Sequence, residues 1–157
     1  MATIRPSLPG DLPHLEALLR RASLATGEHT RELLENPDCM TVPAETLSNT
    51  LVAEADGRVV GFCTVLPLPD DLAEIDALFV HPAAWRRGIG RALMLEAERR
   101  AALSGSAKLG VVSGQYARPF YEAFGFEPSG IEQTRFGPAH RLIKRIQPGV
   151  GLTPPRR

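Results

Sequence analysis

The sequence predicts a single domain of the α/β (α+β) class, in which a mixed sheet is flanked by helices. Its 157 residues are about the size of one globular domain. Apolar strand patterns alternate with helical patterns along the chain, and one long amphipathic helix pattern stands between two short apolar strands. The predicted domain covers residues 1–147, followed by a Pro/Gly-rich and flexible C-terminal tail over 148–157.

The chain is predicted to begin with a strand and a helix. The segment "TIRPSL", 3–8, has the character of a strand, and "GDLPHLEALLRRASL", 10–24, that of a helix capped by Asp11. The buried face of this helix is predicted to carry Leu12, Leu15, Leu18 and Leu19.

An irregular region and a β-hairpin follow. Residues 26–49 carry short helical fragments broken by two prolines, an irregularity that suits a surface in contact with a ligand. Residues 50–68 form two apolar runs joined through Asp56 and Gly57, a dipeptide that tolerates positive φ, which predicts a hairpin.

The second half of the chain continues with a strand, "LAEIDALFVHP", and a helix that begins near Gly88. One face of this helix carries Ile89, Leu93, Ala97 and Ala101. A short buried strand over 107–114, a short helix ending at Gly125 and one or two strands over 134–146 are predicted after it.

Composition excludes several functional classes. Eighteen Lys and Arg balance eighteen Asp and Glu, so no net field draws the molecule to nucleic acid or to an anionic membrane. Cys39 and Cys63 are too few for a disulfide framework, and the histidines lack metal-ligand spacing. The N-terminus has no apolar signal core, and no apolar run is long enough to span a membrane, which predicts a soluble cytoplasmic protein. The spacing of the histidines and cysteines predicts that it binds no metal.

The segment "WRRGIGRA" at the start of the long helix has the features of an anion site. A helix N-terminus leaves about four backbone N–H groups without intrahelical partners and carries roughly half a positive charge. Gly88 and Gly90 would let a phosphate approach those amides, and arginines 86, 87 and 91 add charge. Alternatively, the turn only starts a helix. A Walker A loop is excluded because no Gly-Lys-Ser/Thr follows, and a dinucleotide loop because Leu93 replaces its third glycine.

The order of segments around this turn resembles the acyl-CoA-binding core of the GNAT N-acetyltransferase superfamily. The first motif of that family, Arg or Gln, two residues, Gly, one residue, then Gly or Ala, is present with Gly88 and Gly90, although Trp85 replaces the Arg or Gln. The second motif is matched by Ala117, Phe120, Tyr121, Glu122, Gly125 and Phe126. Gly114 stands where the family often has an Asn that contacts pantetheine.

The resemblance implies a fold, a cofactor and a reaction. The GNAT fold has a mixed central sheet of six to seven strands flanked by about four helices. The expected reaction moves an acetyl group from acetyl-CoA, the cosubstrate, directly to a primary amine of a small molecule or peptide, and homodimers are common in the family. The residues implied in cofactor binding are Leu78, Phe79, Val80, Arg86, Arg87, Gly88, Ile89, Gly90, Arg91, Ala92, Gly114, Ala117, Phe120 and Tyr121.

A carboxylate on the strand before the turn is the candidate catalytic base. A lysine-type amine with a pKa near 10.4 is unprotonated only about once in 2,500 at pH 7, so a base would help it. Glu74, fourteen residues before Gly88, matches the spacing of the catalytic glutamate in the histone-acetylating branch. Strand alternation puts Glu74 on one face with Asp76, Leu78 and Val80, so Asp76 is a second candidate. Both could instead be solvent-facing carboxylates.

Tyr121 is the candidate proton donor to the leaving thiolate of coenzyme A, by its place in the second motif. The alternative is a tyrosine that packs in the core. Backbone groups of Leu78 and Val80 are expected to pair with pantetheine as an added strand would.

The acceptor is expected to lie between region 26–49 and the last strands. That region contains four acidic residues that could attract a cationic amine or simply form a solvated face: Glu28, Glu32, Glu35 and Asp38. Two other functions stay open: a non-catalytic acyl-CoA-binding module, and an enzyme that uses a longer acyl-CoA or acylates a protein N-terminus.

Overall fold

A computed structural model describes residues 2–149 and shows one mixed sheet with helices on both faces. The strands are β1 Thr3–Pro6, β2 Thr50–Ala55, β3 Arg58–Leu68, β4 Leu72–Val80, β5 Lys108–Ser113, β6 Glu127–Thr134 and β7 Gly137–Arg145. The α-helices are α1 Leu12–Ala25, α2 Thr30–Glu35, α3 Ile89–Leu103 and α4 Arg118–Ala123. Four short 3-10 turns join them, over Pro9–Asp11, Pro37–Met40, Ala44–Asn49 and Pro82–Ala84.

The seven strands lie in the order β1-β2-β3-β4-β5-β7-β6. Only β4 and β5 run parallel, and α3 makes the connection between them, as a parallel pair requires. Every other neighbouring pair is antiparallel. The predicted mixed sheet of six to seven strands with about four helices is confirmed.

Two clusters of buried side chains hold the helices on opposite faces of the sheet. In β2, Leu51 and Ala53 pack with the cluster of α3, while Val52 packs with the cluster of α1. The predicted apolar face of α3, from Ile89 to Ala101, is buried. In α1, three of the four predicted leucines are buried, and Leu12 is only half-buried.

The hairpin between β2 and β3 forms as predicted. Asp56 and Gly57 take positive φ values of 51° and 73° at its turn, the combination that a two-residue type I′ turn requires. The last hairpin differs from the prediction, because β6 begins at Glu127 rather than near residue 134. All of β6 is exposed, so its sequence lacks the apolar alternation that would have revealed it.

Asp11 does not cap α1 with its side chain, as the sequence had suggested. Its carboxylate accepts two hydrogen bonds from the guanidinium of Arg5, at 2.9 and 3.0 Å, and one from the backbone N–H of Leu8 at 2.7 Å. Asp11 therefore ties β1 to the turn before α1.

A β-bulge at Asp76 overturns the predicted alternation in β4. In the pairing with β3, Thr64 faces Ala77 but Val65 faces Ile75, so Asp76 is an extra residue. Ala73 and Ile75 consequently share the α3 face with Leu78 and Val80, whereas Ala77 and Phe79 pack toward α1. Glu74 thus lies on the face opposite to Leu78 and Val80.

Within residues 2–149, no helix is long and apolar enough to cross a membrane. The predicted tail lies mostly outside the described residues, since only 148 and 149 of it fall within them.

Candidate active site

The site forms where the two parallel strands separate. β4 and β5 pair only from Leu72 and Lys108 to Ile75 and Val111, just before the bulge at Asp76. Beyond this point β4 continues to Val80 with no partner on its β5 side within residues 2–149, and a cleft of about 720 Å³ opens there. Its wall includes the end of β4, the start of α3, α4 and the segment that joins α1 to α2.

The turn before α3, residues 85–88, and the first residues of α3 supply free backbone donors to this cleft. The first hydrogen bond of the helix runs from the N–H of Ala92 to the carbonyl of Gly88, at 3.0 Å. Four backbone N–H groups come before it without a protein acceptor among residues 2–149: Gly88, Ile89, Gly90 and Arg91. All four of these residues line the cleft, which gives it the donor set of an anion site.

Gly88, in this turn, and Gly90, in the first turn of α3, require glycine for different structural reasons. Gly88 has a φ of +78°, a left-handed conformation that a side chain would strain, and a Cβ there would meet nothing within 4 Å. A Cβ on Gly90 would instead lie 3.3 Å from the ring of Phe120. Gly90 therefore lets α4 pack closely against the start of α3.

Three arginines lie close in sequence to the free amides, and two of them line the cleft. Arg86 and Arg91 line the cleft, and Arg86 is held in a left-handed conformation with φ 65°. Arg87 is exposed but does not line the cleft. Arg91 also lies over the ring of Phe124, 5.9 Å from its centroid, which fixes the direction of its side chain.

The unpaired edge of β4 offers backbone groups to the same cleft. The backbone N–H of His81 donates to the carbonyl of Val60 in β3, at 2.8 Å. Hydrogen-bonded residues alternate along an antiparallel pair, so the backbone N–H and C=O of Phe79 also point toward β3. Leu78 and Val80 then point their N–H and C=O groups toward the open edge. The carbonyl of Val80 already accepts a hydrogen bond from the indole N–H of Trp85, at 2.7 Å.

Tyr121 lies on α4 with its ring in the core and its hydroxyl at the cleft. It is 5% exposed and meets Phe120 and Phe126 edge-on, with ring centroids 5.3 and 5.5 Å away. The Tyr121 hydroxyl has no hydrogen-bond partner among residues 2–149. No buried side-chain oxygen of these residues lacks a partner, so this oxygen is not buried. Because Tyr121 lines the cleft, the oxygen is open to it. Burial raises the pKa of Tyr121 far above its ordinary value, which keeps it a proton donor.

Glu74 lies away from the cleft wall, in an ion pair. Each of its carboxylate oxygens accepts a hydrogen bond from the guanidinium of Arg141, both at 3.1 Å, and Arg141 also contacts Glu132. Asp76 is exposed at the bulge. Partial burial is the main cause that raises the pKa of the Asp76 carboxyl, and the negative charge of Glu74 raises it further. Neither carboxylate lines the cleft.

The carboxylate that does line the cleft belongs to Glu28, between α1 and α2. Its Oε2 accepts a hydrogen bond from the backbone N–H of Gln115 at 2.8 Å, just beyond the end of β5. Its Oε1 lies against Gly114, 2.5 Å from where a Cβ would stand. Sequence reasoning grouped Glu28 with three other acidic residues, because nothing in a linear pattern links position 28 to position 114.

The tip of the last hairpin completes the wall beside Glu28. Phe136 lines the cleft and packs against the ring of His29, with centroids 5.7 Å apart. Its neighbour Arg135 donates hydrogen bonds to Asn36 at 2.7 Å and to Asp38 at 2.9 Å. The hairpin tip is thus fastened to the segment that follows α2.

Both cysteines are free, as the sequence predicted. Cys63 is fully buried in the α3 cluster, and this burial raises the pKa of its thiol to about 12. Cys39 accepts a hydrogen bond from Arg135 at 2.8 Å. A thiol as buried as Cys63 is neutral and has the role of an apolar core residue.

Comparisons with known proteins agree with this geometry. The model of the acetyltransferase (GNAT) family matches residues 14–126. A Bacillus subtilis (strain 168) protein, named as a candidate N-acetyltransferase for the alanine of ribosomal protein bS18, is 27% identical over 143 residues, which cover 86% of this chain and 87% of that protein.

Solved structures share the fold. The PaiA N-acetyltransferase of Thermoplasma acidophilum, in complex with coenzyme A, matches with a TM-score of 0.77 and 23% identity, covering 93% of this chain and 99% of that one. The ribosomal-protein-S18-alanine N-acetyltransferase of Escherichia coli matches with a TM-score of 0.70 and 22% identity, covering 94% of this chain and 95% of that one.

Proposed function

Because the chain belongs to the acetyltransferase (GNAT) family, we propose that it moves an acetyl group from acetyl-CoA to a primary amine while both substrates are bound. Acetyl-CoA supplies the acetyl group as a thioester. The observation that carries the proposal is the meeting, in one cleft, of four free amides, an unpaired strand edge and the Tyr121 hydroxyl.

The amides of Gly88 to Arg91 bind the diphosphate of the coenzyme in this proposal. Backbone donors at a helix N-terminus suit a phosphate because they point along the helix axis and add the positive end of the helix dipole. Arg86 and Arg91 contribute charge from the same wall. Trp85 holds the turn against the end of β4, so these donors are positioned before the coenzyme arrives.

The edge of β4 holds the pantetheine arm. Leu78 and Val80 pair with its amides as a strand would, and the N–H of Val80 is left to polarise the thioester carbonyl, since the carbonyl of Val80 is already bound to Trp85. The bulge at Asp76 turns these two residues toward the α3 side of the sheet, where the cleft and Tyr121 lie.

Tyr121 protonates the leaving sulfur. Its hydroxyl has no hydrogen-bond partner within residues 2–149, and its raised pKa keeps the proton on the oxygen at neutral pH. The thiolate of coenzyme A, with a pKa near 8.5 as an ordinary thiol, is a better leaving group when it accepts that proton.

The predicted base, Glu74, remains a candidate that needs a route to the amine. Arg141 occupies both of its oxygens, so a water chain or a rearranged Arg141 would have to connect it to the cleft. Asp76 has a raised pKa, which suits a base, but like Glu74 it does not line the cleft.

The acceptor is a primary amine of a small molecule or a peptide. The Bacillus subtilis relative is named for an alanine of a ribosomal protein, which supports a peptide α-amine as one of the two candidates. An α-amine also needs less help to lose its proton, because its pKa is near 7.8 rather than 10.4.

The test is mass spectrometry of reactions that contain the purified protein, acetyl-CoA and a panel of small amines and peptides. We expect at least one amine to gain an acetyl group at a rate that falls in a Gly88→Ala variant. If no amine in the panel is acetylated while coenzyme A binds tightly, the enzyme proposal fails and a coenzyme-binding module takes its place.

A further inference from the structure

We propose that Glu28 binds the ammonium group of the acceptor and takes its proton, and that the acceptor carries one positive charge beside an apolar group. This inference rests on the proposed acetyl transfer and names the residue and the substrate class for it. It replaces Glu74 as the carboxylate in contact with the amine.

The first argument is the distribution of charge around the cleft. Among the described residues that form its wall, Glu28 is the only one with a carboxylate. The cationic side chains of that wall, Arg86 and Arg91, belong to the turn and helix start assigned to the diphosphate. A cationic amine that enters the cleft therefore finds one counter-charge, and it is Glu28.

The second argument is the way Glu28 is held. Oε2 accepts the backbone N–H of Gln115 at 2.8 Å, and the backbone N–H of Glu28 itself donates to the hydroxyl of Thr26 at 3.1 Å. Oε1 has no hydrogen-bond partner among residues 2–149. One oxygen is thus anchored and the other is available, as the binding of an ammonium requires.

The third argument is the absence of a side chain at position 114. Glu28 Oε1 lies 2.5 Å, and its Cδ 2.9 Å, from the place where a Cβ on Gly114 would be. The glycine that departs from the family's usual Asn therefore provides the space that the Glu28 carboxylate occupies. The two features belong together although 86 residues separate Glu28 from Gln115, the next residue after Gly114.

The surroundings of Glu28 indicate the substrate class. Leu33 and Phe136 contribute apolar surface to the same wall, and His29 stacks on Phe136. A polyamine would place its additional charges against this surface with no further carboxylate to receive them. A monoamine with an apolar or aromatic substituent, free or at the N-terminus of a peptide, matches one carboxylate beside apolar side chains.

The reaction begins with a proton transfer from the acceptor. The ammonium gives one proton to Glu28, and the nitrogen lone pair then forms the C–N bond to the thioester carbon. The C–S bond breaks and the sulfur leaves with its electron pair. The nitrogen releases a second proton, which replaces the proton that Tyr121 delivers to the sulfur, and Glu28 returns its own proton to solvent. The products are the N-acetylated amine, coenzyme A with its thiol, and one proton.

The test compares Glu28→Gln with the wild-type protein and with Glu45→Gln, an exposed carboxylate outside the cleft. The acceptors are 2-phenylethylamine, the dipeptide amide Ala-Phe-NH2 and spermidine. Because Gln keeps an oxygen for the Gln115 amide, folding is expected to survive. We expect kcat/KM for the two monoamines to fall about 100-fold, and KM for acetyl-CoA to stay within about twofold. Glu45→Gln should behave as wild type.

A second variant tests position 114 independently. In Gly114→Ala the new Cβ displaces only the flexible end of Glu28, so the protein should fold, while kcat/KM for the amine falls about tenfold. In the Glu28→Gln background the same change should cost less than about twofold, because the group it displaces has already lost its charge. Gly10→Ala, where a Cβ meets nothing within 4 Å, is the matched control.

The outcomes separate the two proposals. A wild-type protein that acetylates neither monoamine, nor any amine of the larger panel, defeats the proposed function itself. A wild-type protein that acetylates them equally well with Gln at position 28 defeats the role of Glu28. If Gly114→Ala raises KM for acetyl-CoA instead of the amine, Gly114 serves pantetheine and the coupling to Glu28 is wrong. A preference for spermidine defeats the substrate class.

Discussion

The indole N–H of Trp85 donates a hydrogen bond to the carbonyl oxygen of Val80, at 2.7 Å, and so joins the turn over residues 85–88 to the last residue of β4. The ring of Trp85 also lies 5.8 Å from that of Tyr116. In the family motif this position usually holds Arg or Gln. Trp85 is a neutral donor here, and because it occupies the carbonyl of Val80, the Val80 N–H is the group that can reach a ligand.

Replacing Trp85 with Phe tests this connection. Phe keeps a ring to face Tyr116 but leaves the carbonyl of Val80 without its donor. We expect the free energy of unfolding in urea to fall by about 1 kcal/mol. Affinity for coenzyme A, measured by calorimetry, should fall severalfold because the turn is less well positioned. Unchanged affinity would mean that Trp85 only fills space.

Replacing Tyr121 with Phe tests the proton donor. The ring contacts with Phe120 and Phe126 survive, and the lost hydroxyl has no partner in the part of the chain that the structure describes. The free energy of unfolding should therefore change by less than about 1 kcal/mol. We expect kcat to fall about 100-fold while the Kd for coenzyme A stays within about twofold. A variant with wild-type kcat would assign Tyr121 to the core alone.

The pH dependence of kcat also tests Tyr121 as the proton donor. Burial raises the pKa of Tyr121, so the folded protein keeps this proton at pH values where an ordinary tyrosine, near 10, begins to lose it. We therefore expect no decline of kcat from Tyr121 between pH 7 and about 9.5. A decline in that range that disappears in Tyr121→Phe would contradict the raised pKa.

The sequence revealed those parts of the fold that local chemistry decides. Asp56-Gly57 specifies its turn because both residues accept positive φ, and the face of α3 follows from the spacing of its apolar residues. The bulge at Asp76 could not be read in the same way, because it is defined by pairing with β3. It placed Glu74 on the face opposite to the predicted one, and the Glu74 carboxylate does not line the cleft.

The free amides at the start of α3 were predictable for a related reason, since a helix N-terminus exposes its amides whatever surrounds it. Glu28 was not distinguishable from its acidic neighbours. Its place on the cleft wall depends on contacts with Gly114 and Gln115, which only the folded chain brings near. The contact between Gly90 and Phe120 was not predictable for the same reason, because the Phe120 ring comes from a later helix.

Gly88→Ala tests the conformation of the binding turn, with Gly105→Ala as its control. Both glycines have positive φ, +78° and +94°, and a Cβ at either would meet no neighbour within 4 Å. Each variant should lose about 1 kcal/mol of stability from backbone strain. Only Gly88→Ala should weaken coenzyme A binding, by about tenfold, which is the loss of one hydrogen bond to a charged group. Equal effects on binding would contradict the assignment.

Asp11→Asn tests the link between β1 and α1. Hydrogen bonding to Arg5 is the main cause that lowers the pKa of Asp11, and the Leu8 N–H adds to it. A lowered pKa stabilises the fold at pH values above the ordinary value of 3.8, and this contribution is lost as the pH falls through the lowered one. The variant should therefore lose about 2 kcal/mol at pH 7 in urea unfolding, and progressively less below pH 3.8. A constant difference down to acid pH would contradict the ion pair.

The most direct measurement of the central claim is an NMR titration of 15N-labelled protein with coenzyme A. The claim is that the backbone amides at the start of α3 bind the diphosphate. We expect the N–H signals of Gly88, Ile89, Gly90 and Arg91 to show the largest shifts, together with the indole N–H of Trp85. Saturable binding that shifts other amides and leaves these four unchanged would contradict the account.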